Sequence, residues 1–170
     1  KAFIEVGIVK TEVPVSALGM SIGTGENGLT APVIEIQNFK ELETLGTKNI
    51  AGKIVFFNRP MDPTLINTFA AYSGAGDQRS QGAAQAARFG AVGVVVRSLT
   101  TASDNFPHTG VMRYNDTIPK IPAVAISTKG ADLLSKTLKN NPETRFSFRT
   151  SCYQLPDSTS YNVIGEIRGS

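Results

Sequence analysis

The sequence contains no tryptophan, one cysteine (Cys152) and one histidine (His108) in 170 residues. A lone cysteine excludes an internal disulfide and any multi-cysteine metal site. With one histidine beside it, the chain also lacks the donors for a catalytic zinc, which takes about three protein ligands. Aromatic residues make up only 8%, and with tryptophan missing this speaks against a sugar-stacking surface. No apolar run reaches the roughly 18 residues of a membrane-spanning helix. Excess charge is scarce too, since 17 Lys and Arg against 14 Asp and Glu leave a net +3. Arg145 and Arg149 share one strand face, but no basic cluster interleaved with aromatics appears, so nucleic acid is not expected as a partner.

What is present describes a globular domain. The apolar fraction is 41%, and a chain of this length buries about 70% of its unfolded surface, enough for a core without staples. The stretch from Arg79 to Ser98, RSQGAAQAARFGAVGVVVRS, is the strongest local signal. Ser80 reads as an N-cap, Ala83, Ala84, Ala86 and Ala87 as helix, Gly90 as a C-terminal stop, and Val92 to Val96 as a strand buried on both faces. Small side chains let this helix lie close to the sheet. Lys53 to Asn58 (KIVFFN) is a second buried strand, so the two form a strand–helix–strand crossover with parallel pairing. Asn38 and Glu41 cap a short helix that Gly46 ends. Ser127 or Thr128 caps another, with Leu133, Leu134 and Leu138 on one face. Thr144 to Thr150 alternates, with Phe146 and Phe148 inward. Ala2 to Val9, Val13 to Leu18 and Leu29 to Ile36 are extended, Pro32 favouring an edge for the last. Arg59–Gly76 and Thr100–Lys120 read as long irregular connections, the second holding His108 in the run PHTG.

Several spellings suggest chemistry and fail on context. Gly23, Gly25 and Gly28 match a dinucleotide fingerprint, but strand residues follow where a helix must open. Gly19-Met20-Ser21-Ile22-Gly23 matches a nucleophile elbow, and Asp62, Asp77 or Asp104 with His108 would complete a triad. No helix follows the serine, so the elbow is unsupported. Asn115-Asp116-Thr117 spells a glycosylation acceptor, a frequent three-residue match.

Taken in order, GKIVFFN, RSQGAAQAARFGAVGVVVRS, PHTG and IPKIPAVAIST resemble a protease-associated domain. The likeness is to the kind inserted in zinc exopeptidases similar to carboxypeptidase Q, and it covers about Leu18 to Ser170. The resemblance implies an α/β fold with a β-rich core, an open barrel or two-layer sandwich with two or three short flanking helices. It also implies a non-catalytic module that covers the active-site cleft and helps gate or bind peptide substrates. Two zinc ions are expected in the parent's catalytic domain and no cofactor in this piece. The expected partners are that domain and the peptide, with no membrane span, and a homodimer of the parent is compatible. The location implied is extracytoplasmic, periplasmic or secreted. Carried over by position, the PHTG loop supplies the cleft candidates His108, Thr109 and Gly110, with Met112, Arg113 and Tyr114 beside them. The alternative is an interaction domain in another host, a subtilisin-like protease or a sorting receptor.

Lys1 is not an initiator methionine, so the chain is expected to be a piece of a longer protein. Residues 1–17 form an extended segment of open allegiance, 18–157 the protease-associated domain, and 158–170 a strand (YNVIGEI at its centre) leading toward a catalytic domain.

Overall fold

The computed structural model, which describes residues 1–169, folds the chain into an eight-stranded mixed sheet and four helices. In chain order these are β1 (Ala2–Val6), β2 (Val9–Glu12), β3 (Val15–Ala17), β4 (Leu29–Ile36), α1 (Phe39–Ile50), β5 (Ile54–Phe57), α2 (Thr68–Ser80), α3 (Gly82–Ala87), β6 (Gly93–Arg97), β7 (Ala123–Ile126), α4 (Thr128–Asn140) and β8 (Arg145–Phe148). The strand order is β2-β1-β8-β4-β5-β6-β7-β3, with β4 to β7 parallel and the rest antiparallel.

That order forces the sheet to curl. Laid flat, eight strands would span about 34 Å. Yet β2 and β3, at its two ends, are joined only by Val13 and Pro14, a link that reaches about 11 Å at full stretch. The ends must therefore approach each other, and the sheet is an open barrel. One core cluster fits this shape, gathering Ile4, Val33, Phe56, Val95, Val124 and Phe146 from six strands, with Leu134 of α4. A second core lies on the other face, where Val55, Phe57, Val94 and Val96 meet α1 and α3 through Leu42, Ile50, Ala83 and Ala86.

The expected crossover between β5 and β6 is present, but its helices differ from the sequence reading. Residues 68–76, read as part of an irregular connection, belong to α2, which runs on to Ser80. Asn67 caps it, its side chain accepting from the N–H groups of Phe69 and Ala70. Gly74 and Gly76 are tolerated inside because the alanine face, Ala71 and Ala75, is buried. Ser80 is consequently the last residue of α2 instead of an N-cap, its hydroxyl donating back to Gly76 O. This adds a fourth helix to the two or three expected.

Pro32 is not on an edge. The ladder to β8 covers Leu29–Pro32 and that to β5 covers Val33–Ile36. Val33 N donates to Thr144 O, so by alternation the Pro32 nitrogen faces away from β8. On that side β5 begins only opposite Val33, and the missing donor costs no ladder bond. Asn38 caps α1 as expected, accepting from Glu41 N at 2.9 Å. Gly46, at φ 61°, kinks α1 instead of ending it. In α4, capped by Ser127, Leu134 is buried while Leu133 is partly exposed. Tyr161–Ile167 pairs with no strand among the described residues, and Val163, Ile164 and Ile167 are almost wholly exposed. An alternating run becomes a strand only where a ladder partner exists.

The N-terminal segment belongs to the sheet through β1, β2 and β3. Glu5 of β1 is buried to 10% exposure of its side chain, ion-paired to Lys10 at 3.0 Å. Burial works to raise its pKa, but the Ser147 hydroxyl, Lys10 and the charge of Arg145 together outweigh it and hold the carboxyl below its ordinary 4.5. Because the folded value is lowered, the stabilisation is complete above about 4.5 and is lost as pH falls through the folded value. Glu5→Gln is expected to cost about 1–2 kcal/mol near neutrality. Urea titrations of both proteins should show the gap closing at acid pH; a gap that stays constant with pH would refute the assignment.

Candidate functional site

The crossover from β6 to β7, residues 98–122, carries no helix. It is instead pinned along its length. His108 N donates to Ser98 Oγ at 2.8 Å, and that buried hydroxyl donates to Ile126 O at 2.7 Å. Thr109 Oγ1 donates to Ala17 O. Gly19 N donates to Gly110 O and Met112 N to Gly19 O, at 2.9 and 3.1 Å. Arg113 N donates to Ser80 O at 2.9 Å. Tyr114 Oη accepts from Ile22 N at 2.9 Å and donates to Ile121 O at 2.7 Å.

This pinning divides the candidates. His108, Thr109 and Arg113 are exposed, and Gly110 and Tyr114 are half-buried. Met112 is 1% exposed and lies in the core under α1 and α3. Its side chain packs beneath the loop, because the alternation fixed by the Gly19–Val111 bridge turns Val111 outward and Met112 inward, and it borders the floor of a depression shared with Met20 and Arg113.

Beside the loop runs a cleft of about 720 Å³ lined by Met20, Ile22, Tyr114, Lys120, Cys152 and Leu155 among others. A second depression shares Met20, Tyr114 and Lys120 and adds Val111, Arg113 and Asp116. Met20 stands between them, 61% exposed and with φ at 72°. A left-handed backbone on a non-glycine residue costs on the order of 1 kcal/mol. It persists because bonds on either side, Leu18 N to Ala123 O and Ser21 N to Leu18 O, leave the chain no other path. Sequence reasoning missed Met20, since left-handed backbone at a methionine has no sequence signal. Ser21, its neighbour, is buried and structural, accepting from Ala123 N and donating to Ile22 O.

Arg79 was also missed. Seven residues apart on α2, Tyr72 and Arg79 share a helix face, and the guanidinium carbon sits 5.0 Å from the ring centroid. On its other side it presses on Gly110, where a Cβ would come within 2.6 Å of it. Its Nε is buried and has no hydrogen-bond partner among the described residues.

The carboxyl ends of the parallel strands, the usual ligand position in such sheets, hold a polar network. Glu35 Oε1 accepts from Gln37, Asn58 and Ser135, Asn58 Oδ1 accepts from Arg97, and Arg97 pairs with Asp132 at 2.6 Å. These groups satisfy one another and tie β4, β5, β6 and α4 together. Zinc does not fit the residues present: no group of three His, Cys, Asp or Glu side chains among the described residues could hold a metal ion. No described helix is long and apolar enough to cross a membrane.

No family model matches the chain. Among known proteins it is 35% identical over 159 residues to human carboxypeptidase Q, covering 94% of the chain and 32% of that protein. The Xenopus laevis carboxypeptidase Q is 35% identical over 161 residues, with coverage of 95% and 32%. The chain thus spans about a third of the length of these relatives. Among solved structures it matches the peptidase M28 precursor of Shewanella amazonensis with a TM-score of 0.81 and 33% identity, over 88% of the chain and 33% of the other. A zinc aminopeptidase from Bacillus subtilis shares the fold at 16% identity and TM-score 0.51, over 88% and 29%. The chain is therefore a homologue of one third of the carboxypeptidase Q type of peptidase, with the β-rich α/β fold of a protease-associated domain.

Proposed function

We propose that this chain is the accessory domain of a secreted or periplasmic zinc exopeptidase, lying over the active-site cleft and helping to select the peptide. The peptide bond is cleaved elsewhere in the parent, where the zinc ions are bound. The observation that carries this reading is the pinned 107–114 loop. Its backbone is bonded to Ser98, Gly19 and Ser80 of the domain itself, while the His108 and Arg113 side chains are exposed and Arg113 lines a depression with Met20 and Val111. A rigid rim that joins apolar surface to a few polar groups suits a peptide and a neighbouring domain. The metallopeptidase relatives favour this host over a subtilisin-like or sorting-receptor one.

In the full-length enzyme, His108→Ala is expected to lower kcat/KM for peptides about tenfold, the worth of one hydrogen bond of roughly 1.4 kcal/mol. Zinc content should stay unchanged. Equal kcat/KM across several peptides of different sequence would sink the assignment.

A further inference from the structure

We infer that Arg79 is a carboxylate receptor, holding an acid that comes from outside this chain. A guanidinium carries five donors and stays charged, so leaving it half-buried and unpaired is costly. Arg79 is half-buried, its Nε has no partner, and none of the four ion pairs among the described residues involves it. The nearest acid on its own helix, Asp77, is already paired with Arg59. Yet the side chain is held in one place, stacked on Tyr72 and fitted against the bare backbone of Gly110. With Nε buried and the flanks fixed, the terminal nitrogens, which are not among the buried unpaired atoms, form the planar end left for bidentate binding of a carboxylate. It sits against the PHTG loop, whose next exposed cation, Arg113, bonds through its N–H to Ser80, the residue after Arg79.

Two acids could take this place: the terminal carboxylate of a bound peptide, or an acidic side chain of the catalytic domain. The inference deepens the cleft reading in the first case and requires only domain docking in the second. The test uses the full-length, zinc-loaded enzyme with Arg79→Met, Arg79→Lys and Gly110→Ala. The last keeps the charge but drives a methyl into the guanidinium's seat. The probes are a non-cleavable reduced-amide dipeptide and its C-terminal amide, titrated calorimetrically, together with thermal unfolding. If the peptide supplies the acid, Arg79→Met weakens the free-acid dipeptide about tenfold or more and leaves the amide unchanged. If the catalytic domain supplies it, both dipeptides bind as before, and the unfolding midpoint of Arg79→Met falls, with Arg79→Lys recovering part of it. Gly110→Ala should follow Arg79→Met in either case. Wild-type binding and wild-type melting in Arg79→Met would overturn the inference. An altered Arg79→Met beside an unaltered His108→Ala would retire the selective role of the loop and keep the carboxylate. The reverse result would retire the carboxylate alone.

Discussion

Phe57→Ala is expected to cost about 3–5 kcal/mol, the usual range for emptying a fully buried aromatic site. Phe57 ends β5 with no exposed surface, and its ring meets Phe39 of α1 edge-on at 5.6 Å and 88°. On the α3 side, a Cβ at Gly82 would stand only 2.9 Å from the ring. The ring therefore fills the gap between the sheet and two helices, and neither helix can settle into the void without leaving its own contacts. Urea unfolding followed by circular dichroism measures the loss. A value under about 1 kcal/mol would mean that α1 and α3 collapse onto the sheet freely, contrary to the close packing described here.

Gly93→Val tests the curl of the barrel. Gly93 opens β6, yet an added Cβ would meet Leu29 Cδ2 at 2.5 Å, and Phe148 Cζ and Ile54 Cγ1 at 3.5 Å. Phe148 lies three strands away in the sheet order, about 14 Å across a flat sheet. Valine should cost about 1–3 kcal/mol by overpacking. Leu29→Ala in the same molecule should return part of that loss. Strict additivity of the two changes, measured in a double-mutant cycle, would contradict their contact across the barrel interior.

The parallel strands were legible because they are unbroken apolar runs, KIVFFN and VGVVV, bounded by glycine and a polar residue. The caps at Asn38 and Ser127 were legible because a cap is a local, stereochemical signal. α2 was not, since Pro60 and Pro63 before it and Gly74 and Gly76 within it advertise a loop, and its helicity depends on burying Ala71 and Ala75 against Met61 and Leu99, outside the helix. Pro32 misled for a related reason. Whether a missing N–H matters is decided by where the adjacent strand begins, which is a tertiary fact. At the candidate site the loop was legible as a long connection with the only histidine. The inward turn of Met112 and the seat of Arg79 were not, because each is set by a contact with a segment more than thirty residues distant in the chain.

The closing of the barrel has a consequence for how the molecule is made. The first strand finds its neighbour in the last, Ala2 standing opposite Phe148, while β4 to β7 assemble from units close together in the chain. On a ribosome the βα units can form early, but the β1–β2 hairpin must wait with one open edge until residue 148 has emerged. Such long-range pairing makes folding slow relative to helical domains of like size. Through that interval the waiting edge is the part of the nascent chain most open to wrong partners.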